Sequence, residues 1–83
     1  MSGETPSGLV IYTRRDCSLC ERMEREVRRI AGPDRALRMV AIDDQPALLE
    51  LYGHDVPVLC MDGEFVCKHF LDAARLRAAL GTA

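Results

Sequence analysis

The hydrophobic period of this chain changes at residue 17, and that change limits its fold more than any other feature. Residues 9–13, "LVIYT", form a short apolar run rich in β-branched and aromatic residues, the pattern of a strand buried on both faces. From Ser18 to about Ala31 the apolar positions become Leu19, Met23, Val27 and Ile30, spaced i, i+4, i+8, i+11 as one stripe of a helix. Two cysteines, Cys17 and Cys20, stand at the junction. A buried strand feeding directly into an amphipathic helix is the opening of an α/β layer structure.

The remaining pattern continues in kind. "GP" at 32–33 ends the helix, "LRMVAID" (37–43) reads as a second strand, and "QPALLELYG" (45–53) as a short helix with Pro46 in its first turn. "VPVLCM" (56–61) and "EFVCKHF" (64–70) flank Asp62-Gly63, a two-residue hairpin signal. Asp72 is placed to cap a last helix through Leu80, with apolar positions Ala73, Leu76, Ala79 and Leu80 and with Gly81 as its stop. The predicted order is βαβαββα. Its first half is a parallel crossover and its second half an antiparallel hairpin with a covering helix, which makes a mixed four-stranded sheet flanked by three helices.

A chain of 83 residues that is 48% hydrophobic suits one core, so residues 9–83 are expected to form one domain behind a flexible tail at 1–8. Its four cysteines are fewer than the ~8–10% of a disulfide-stapled secreted scaffold. "MSGETPSG" lacks the basic start and apolar segment of a signal peptide. The expectation is a cytoplasmic protein, where a close cysteine pair serves catalysis or metal binding more often than structure. No apolar run approaches the ~20 residues of a membrane span, so no membrane partner is expected. A net charge of −2 with interleaved signs argues against a nucleic-acid surface. Arg22, Arg25, Arg28 and Arg29 alternate with Glu21, Glu24 and Glu26, which predicts i,i+4 pairs Glu21–Arg25 and Glu24–Arg28 on a solvated face. A monomer is expected.

Cys17 and Cys20 could be a redox pair, half of a metal site, or two small core residues. A helical i,i+3 pair holds its Cβ atoms ~5–6 Å apart, beyond the ~3.5–4.5 Å of a disulfide. A non-helical Cys17 at the helix start closes that gap. There, unpaired amides and the helix dipole would favour a thiolate, lowering the Cys17 pKa, with Arg14 and Arg15 assisting if they turn toward it and Asp16 opposing. Cys20, one turn deeper, should be more buried. With a two-residue turn at Asp62-Gly63, Cys60 faces Phe65 and Cys67 faces Val58, so Cys60 and Cys67 share a sheet face only diagonally and read as small buried hydrophobes. Structural zinc sites use two close ligand pairs, and only one is present, so no metal is assigned. His54 and His69 read as surface or loop residues, Tyr12 and Tyr52 as aromatics at the edge of the core, and Met23, Met39 and Met61 as core filler. Pro57, judged locally, is a strand-entry proline in trans.

With C-x-x-C directly after the first strand and Val-Pro opening the third, the chain resembles the glutaredoxin-like family of thioredoxin-fold thiol-disulfide oxidoreductases over about residues 9 to 80. "IYTRRDCSLC" and "DVPVLCMDG" are the anchors. The resemblance implies that Cys17 is the nucleophile, that Cys20 is the resolving thiol, and that Pro57 is cis, with Val56 offering main-chain groups to the substrate. Arg14 stands where many glutaredoxins carry a lysine that contacts glutathione. Two departures are visible: Ser18 replaces the usual proline of the motif, and "KHFLDAA" stands where a Gly-Gly pair precedes the last helix. The implied activity is reduction of protein or low-molecular-weight disulfides. It needs no bound cofactor, admits glutathione as co-substrate, and is recharged by glutathione or a thioredoxin reductase. A metal- or iron-sulfur-binding module using Cys17 and Cys20, and a redox-inert interaction domain, are the rival readings.

Overall fold

The computed structural model describes residues 7–81, so residues 1–6 of the expected tail lie outside the described residues. Within that span the chain runs β1 (Leu9–Thr13), α1 (Ser18–Ala31), β2 (Leu37–Ala41), α2 (Pro46–Tyr52), β3 (Val58–Met61), β4 (Glu64–Lys68) and α3 (Ala73–Leu80). The most apolar strand takes the middle of the sheet. β1 pairs in parallel with β2 and antiparallel with β3, and β4 completes the order β2-β1-β3-β4. Leu9, Val10 and Ile11 are accordingly almost wholly buried. Among the described residues no helix is long and apolar enough to cross a membrane.

Side chains alternate across a strand, which assigns the two faces of the sheet. Leu9, Ile11 and Leu59 point to one face and pack in a single core with Met23 and Val27 of α1 and Leu76 of α3. On the other face Tyr12 stacks on Tyr52 of α2, ring centroids 4.9 Å apart. α2 buries none of its residues fully, so this second layer is the lighter one. The expectation of a sheet covered on both faces holds, with unequal depth.

Caps end the helices where the sequence signals stand. Asp72 accepts a hydrogen bond from the Arg75 N–H (3.1 Å) at the start of α3, and Gly81 closes that helix in the left-handed region, φ 79°. At the hairpin Asp62 (φ 52°) and Gly63 (φ 83°) both lie at positive φ, the signature of a type I′ turn. The Asp62 carboxylate also accepts from the Gly8 N–H at 2.7 Å and its own N–H donates to the Gly8 carbonyl at 3.0 Å, which pins the start of β1 to the turn.

The register beyond that turn corrects one expectation. Cys60 does oppose Phe65, but the pairing then shifts, and Cys67 opposes Leu59 instead of Val58. Val66 is the extra residue, a β-bulge that puts two successive side chains, Val66 and Cys67, into the core. Cys67 therefore shares the face of Leu59, while Cys60, next to Leu59 in β3, points to the opposite face. The two cysteines do not share a face at all. On α1 the ion pair Glu24–Arg28 forms (3.0 Å) and Arg22 pairs with Glu26 (3.3 Å), whereas the expected Glu21–Arg25 pair is absent among the described residues.

Candidate functional site

Tyr12 opposite Val58 brings the end of β1 and the start of β3 to the same edge of the sheet. The loop 14–17 and the segment Val56-Pro57 therefore leave the sheet together. Asp16 takes a left-handed φ of 54°, a conformation aspartate tolerates better than most residues, and this turns the chain into α1. Cys17 follows as the N-cap, extended at φ −111°, ψ 100°. Its Sγ accepts a hydrogen bond from the Cys20 N–H at 3.1 Å. The non-helical cap brings the two Cα atoms to 5.2 Å, and a disulfide joins Cys17 to Cys20. Cys17 is half-buried and Cys20 only 3% exposed, so an incoming molecule meets the first sulfur and not the second.

The arginines beside the motif do not turn toward it. The Arg14 guanidinium pairs with Asp43 (3.6 Å) and donates to the Gly53 carbonyl (3.4 Å), and that of Arg15 pairs with Asp44 (3.3 Å). Asp43 also accepts from the Arg15 N–H at 3.1 Å. Its carboxylate thus ties the cysteine loop to the turn after β2, a role that sequence reading missed because the partners are 28 residues apart. The run "IDD" after an apolar strand was the only available signal.

Val56-Pro57 is a cis peptide bond, as the resemblance implied and the local reading did not. Pro57 is buried, and its carbonyl accepts from the His69 N–H at 2.8 Å. His69, at φ 67°, is held further through Nε2 by the His54 carbonyl (3.3 Å) and stands 3.8 Å from Asp55, which also pairs with Lys68 (3.3 Å). These contacts set the segment 69–71 against the first turns of α1. Between them lies a small cavity of about 100 Å³ lined by Leu19, Arg22, Met23, Glu26, His69, Phe70 and Leu71. Phe70 is 60% exposed at its rim. Neither the N–H nor the carbonyl of Val56 has a hydrogen-bond partner among the described residues.

Cys60 and Cys67 are free and buried, on opposite faces of the sheet and apart from this edge. Burial pushes both thiols up from their ordinary value. The Tyr52 hydroxyl, hydrogen-bonded to Cys60, and the backbone at Asp72, bonded to Cys67, offset this in part. Among the described residues no group of three or more His, Cys, Asp or Glu is gathered to hold a metal ion. A larger cavity of about 390 Å³ lies at the opposite end of β3, lined by hairpin residues Met61, Asp62, Glu64, Phe65 and by α3, and contains none of the cysteines of the motif.

A mixed sheet of order β2-β1-β3-β4, a disulfide whose outer cysteine caps the helix after β1, and a cis-proline entering β3 at the same edge define a thioredoxin-fold protein with a dithiol/disulfide site. The chain belongs to the glutaredoxin-like domain (DUF836) family, whose model matches residues 8–81. It is similar to the structural genomics target protein XcR50 from X. campestris, at 40% identity and TM-score 0.69 over 92% of this chain and 99% of that one. It is also similar to protein Ne2328 from Nitrosomonas europaea, at 32% identity and TM-score 0.76 over 94% and 96% of the two chains. The thioredoxin-like protein BC3987, 19% identical, shares the fold at TM-score 0.66 over 94% of this chain and all of that one. No curated protein matches the chain.

Proposed function

We propose that the protein is a thiol-disulfide oxidoreductase that reduces disulfides through Cys17 and Cys20. The observation that carries this reading is the asymmetry of the bonded pair: a reachable sulfur at the helix cap, hydrogen-bonded to the Cys20 amide, and a buried sulfur one turn deeper. In the reduced state the Cys17 thiolate attacks one sulfur of a substrate R–S–S–R′, forming a mixed disulfide and expelling R′S⁻. The Cys20 sulfur then attacks Cys17 Sγ, forming the intramolecular disulfide and releasing RS⁻. The two protons of the dithiol pass to the departing thiolates. Two electrons leave the protein, and an external thiol or reductase must restore them. The free amide and carbonyl of Val56 can pair with an extended substrate main chain beside the sulfur.

The reading extends to a reducing, cytoplasmic setting, with glutathione or a thioredoxin reductase as the source of electrons. Turnover of hydroxyethyl disulfide or insulin, supplied with each source in turn, tests it. Consumption of reducing equivalents with one source is expected and names the reductant. A wild-type protein whose disulfide neither opens nor cycles with either source would end the proposal.

A further inference from the structure

We infer that the substrate of this site is a polypeptide, neutral or basic around its cystine and presenting an apolar side chain to the groove beside Phe70, and that glutathione is a poor substrate. This rests on the redox reading above and adds to it the chemical class of the partner.

Charge is the first ground. Of the cations around the disulfide, Arg14 is matched by Asp43, Arg15 by Asp44, Arg22 by Glu26 and Lys68 by Asp55, while Arg25, which has no carboxylate partner among the described residues, stands about two helical turns beyond Cys17. The carboxylates nearest Cys17 along the chain, Asp16 and Glu21, have no cation partner among the described residues. The uncompensated charge within a helical turn of the reactive sulfur is therefore negative. A small thiol bearing two carboxylates, such as glutathione, finds no free cation there and meets repulsion, whereas a basic segment is attracted.

Shape is the second. The groove that starts at Leu19, two residues past Cys17, holds about 100 Å³. That volume admits one side chain and falls well short of the ~300–1,000 Å³ of pockets that enclose a whole small ligand. Leu19, Met23 and Leu71 give it an apolar side, Arg22, Glu26 and His69 a polar one, and its rim is Phe70, a large aromatic left 60% exposed, against which an apolar side chain can pack. The His69–Pro57 bond joins this rim to the segment whose Val56 main chain is unpaired. An extended peptide can thus pair with Val56, place its cystine sulfur at Cys17 and set a neighbouring side chain against Phe70.

The test uses the full chain, reduced, in single-turnover reactions with four disulfides: hydroxyethyl disulfide, oxidised glutathione, and two cystine peptides that carry Phe beside the cysteine and differ only in flanking Lys or Glu. The Lys peptide should react about tenfold faster than the Glu peptide and oxidised glutathione at low salt, with the gap narrowing as salt rises. Phe70→Ser, an exposed change, should slow the Lys peptide about tenfold and leave hydroxyethyl disulfide within about twofold. Asp16→Asn with Glu21→Gln should speed the glutathione disulfide. The assignment of substrate alone is overturned if oxidised glutathione reacts as fast as the Lys peptide, or if Phe70→Ser slows all four alike or none. Inertness toward hydroxyethyl disulfide as well would instead overturn the redox reading, and this inference with it.

Discussion

Cys17 closes the first turn of α1 and also presents the reachable sulfur, and both roles come from its extended backbone at the N-cap. The asymmetry with Cys20 makes the two serine variants unequal. Cys20→Ser should accumulate a mixed disulfide with substrate, seen as the added mass of one substrate half in non-reducing mass spectrometry, because nothing displaces it. Cys17→Ser should bring turnover to the uncatalysed rate. The opposite pattern would exchange the roles of the two sulfurs. The sequence marked out both cysteines by their three-residue spacing, but it read Pro57 locally as trans, and only the family resemblance implied the cis bond that forms. The ties of Arg14 and Arg15 to Asp43 and Asp44 were not legible there, because they depend on which loop the sheet brings alongside.

At the scale of elements, every helix and strand was visible in order, since each announces itself by period and by cap. Asp72 shows how much one cap contributes: its carboxylate satisfies the Arg75 N–H and fixes where α3 begins. Asp72→Ala should lower the unfolding free energy by about 1 kcal/mol, measured by urea denaturation, and Asp72→Asn should recover most of it. Gly63 sits at φ 83° in the hairpin, so Gly63→Ala should cost about 1 kcal/mol or more on the same measurement. The bulge at Val66 left no trace in the sequence. It has neither the glycine nor the proline that marks many irregularities, and it arises because the strand must turn both Val66 and Cys67 toward α1 and α3.

For the whole molecule, stability is concentrated on one face. Leu59 lies wholly buried in the core between the sheet, α1 and α3, so Leu59→Ala should cost about 2–5 kcal/mol, more than truncating a side chain of α2, none of which is fully buried. The buried thiols add a pH dependence. Burial raises Cys60 and Cys67 above their ordinary value, so in alkaline solution the unfolded chain ionises first and binds fewer protons than the folded one. Their neutral burial is fully tolerated below the ordinary thiol range, and stability falls as pH rises through and above about 9, by up to about 1.4 kcal/mol per pH unit for each thiol. Urea midpoints between pH 7.5 and 10 should decline, and Cys60→Ala with Cys67→Ala should flatten that decline. An equal slope in the double variant would remove the thiols as its cause.

The order of elements, the switch from strand to helix at Cys17, the hairpin at Asp62-Gly63 and the caps at Asp72 and Gly81 follow from residues within a few positions of one another, so the sequence alone determined them. Tertiary structure decided what depends on distant strands meeting: the register that separates Cys60 from Cys67, the pairing that turns Arg14 and Arg15 away from the sulfur, and the setting of Phe70 beside α1. The physical reason is range. Backbone period and capping act over one or two turns of chain, whereas charge compensation and side-chain packing at the site are settled only when loops as far apart as residues 15, 43, 57 and 69 meet at one edge of the sheet.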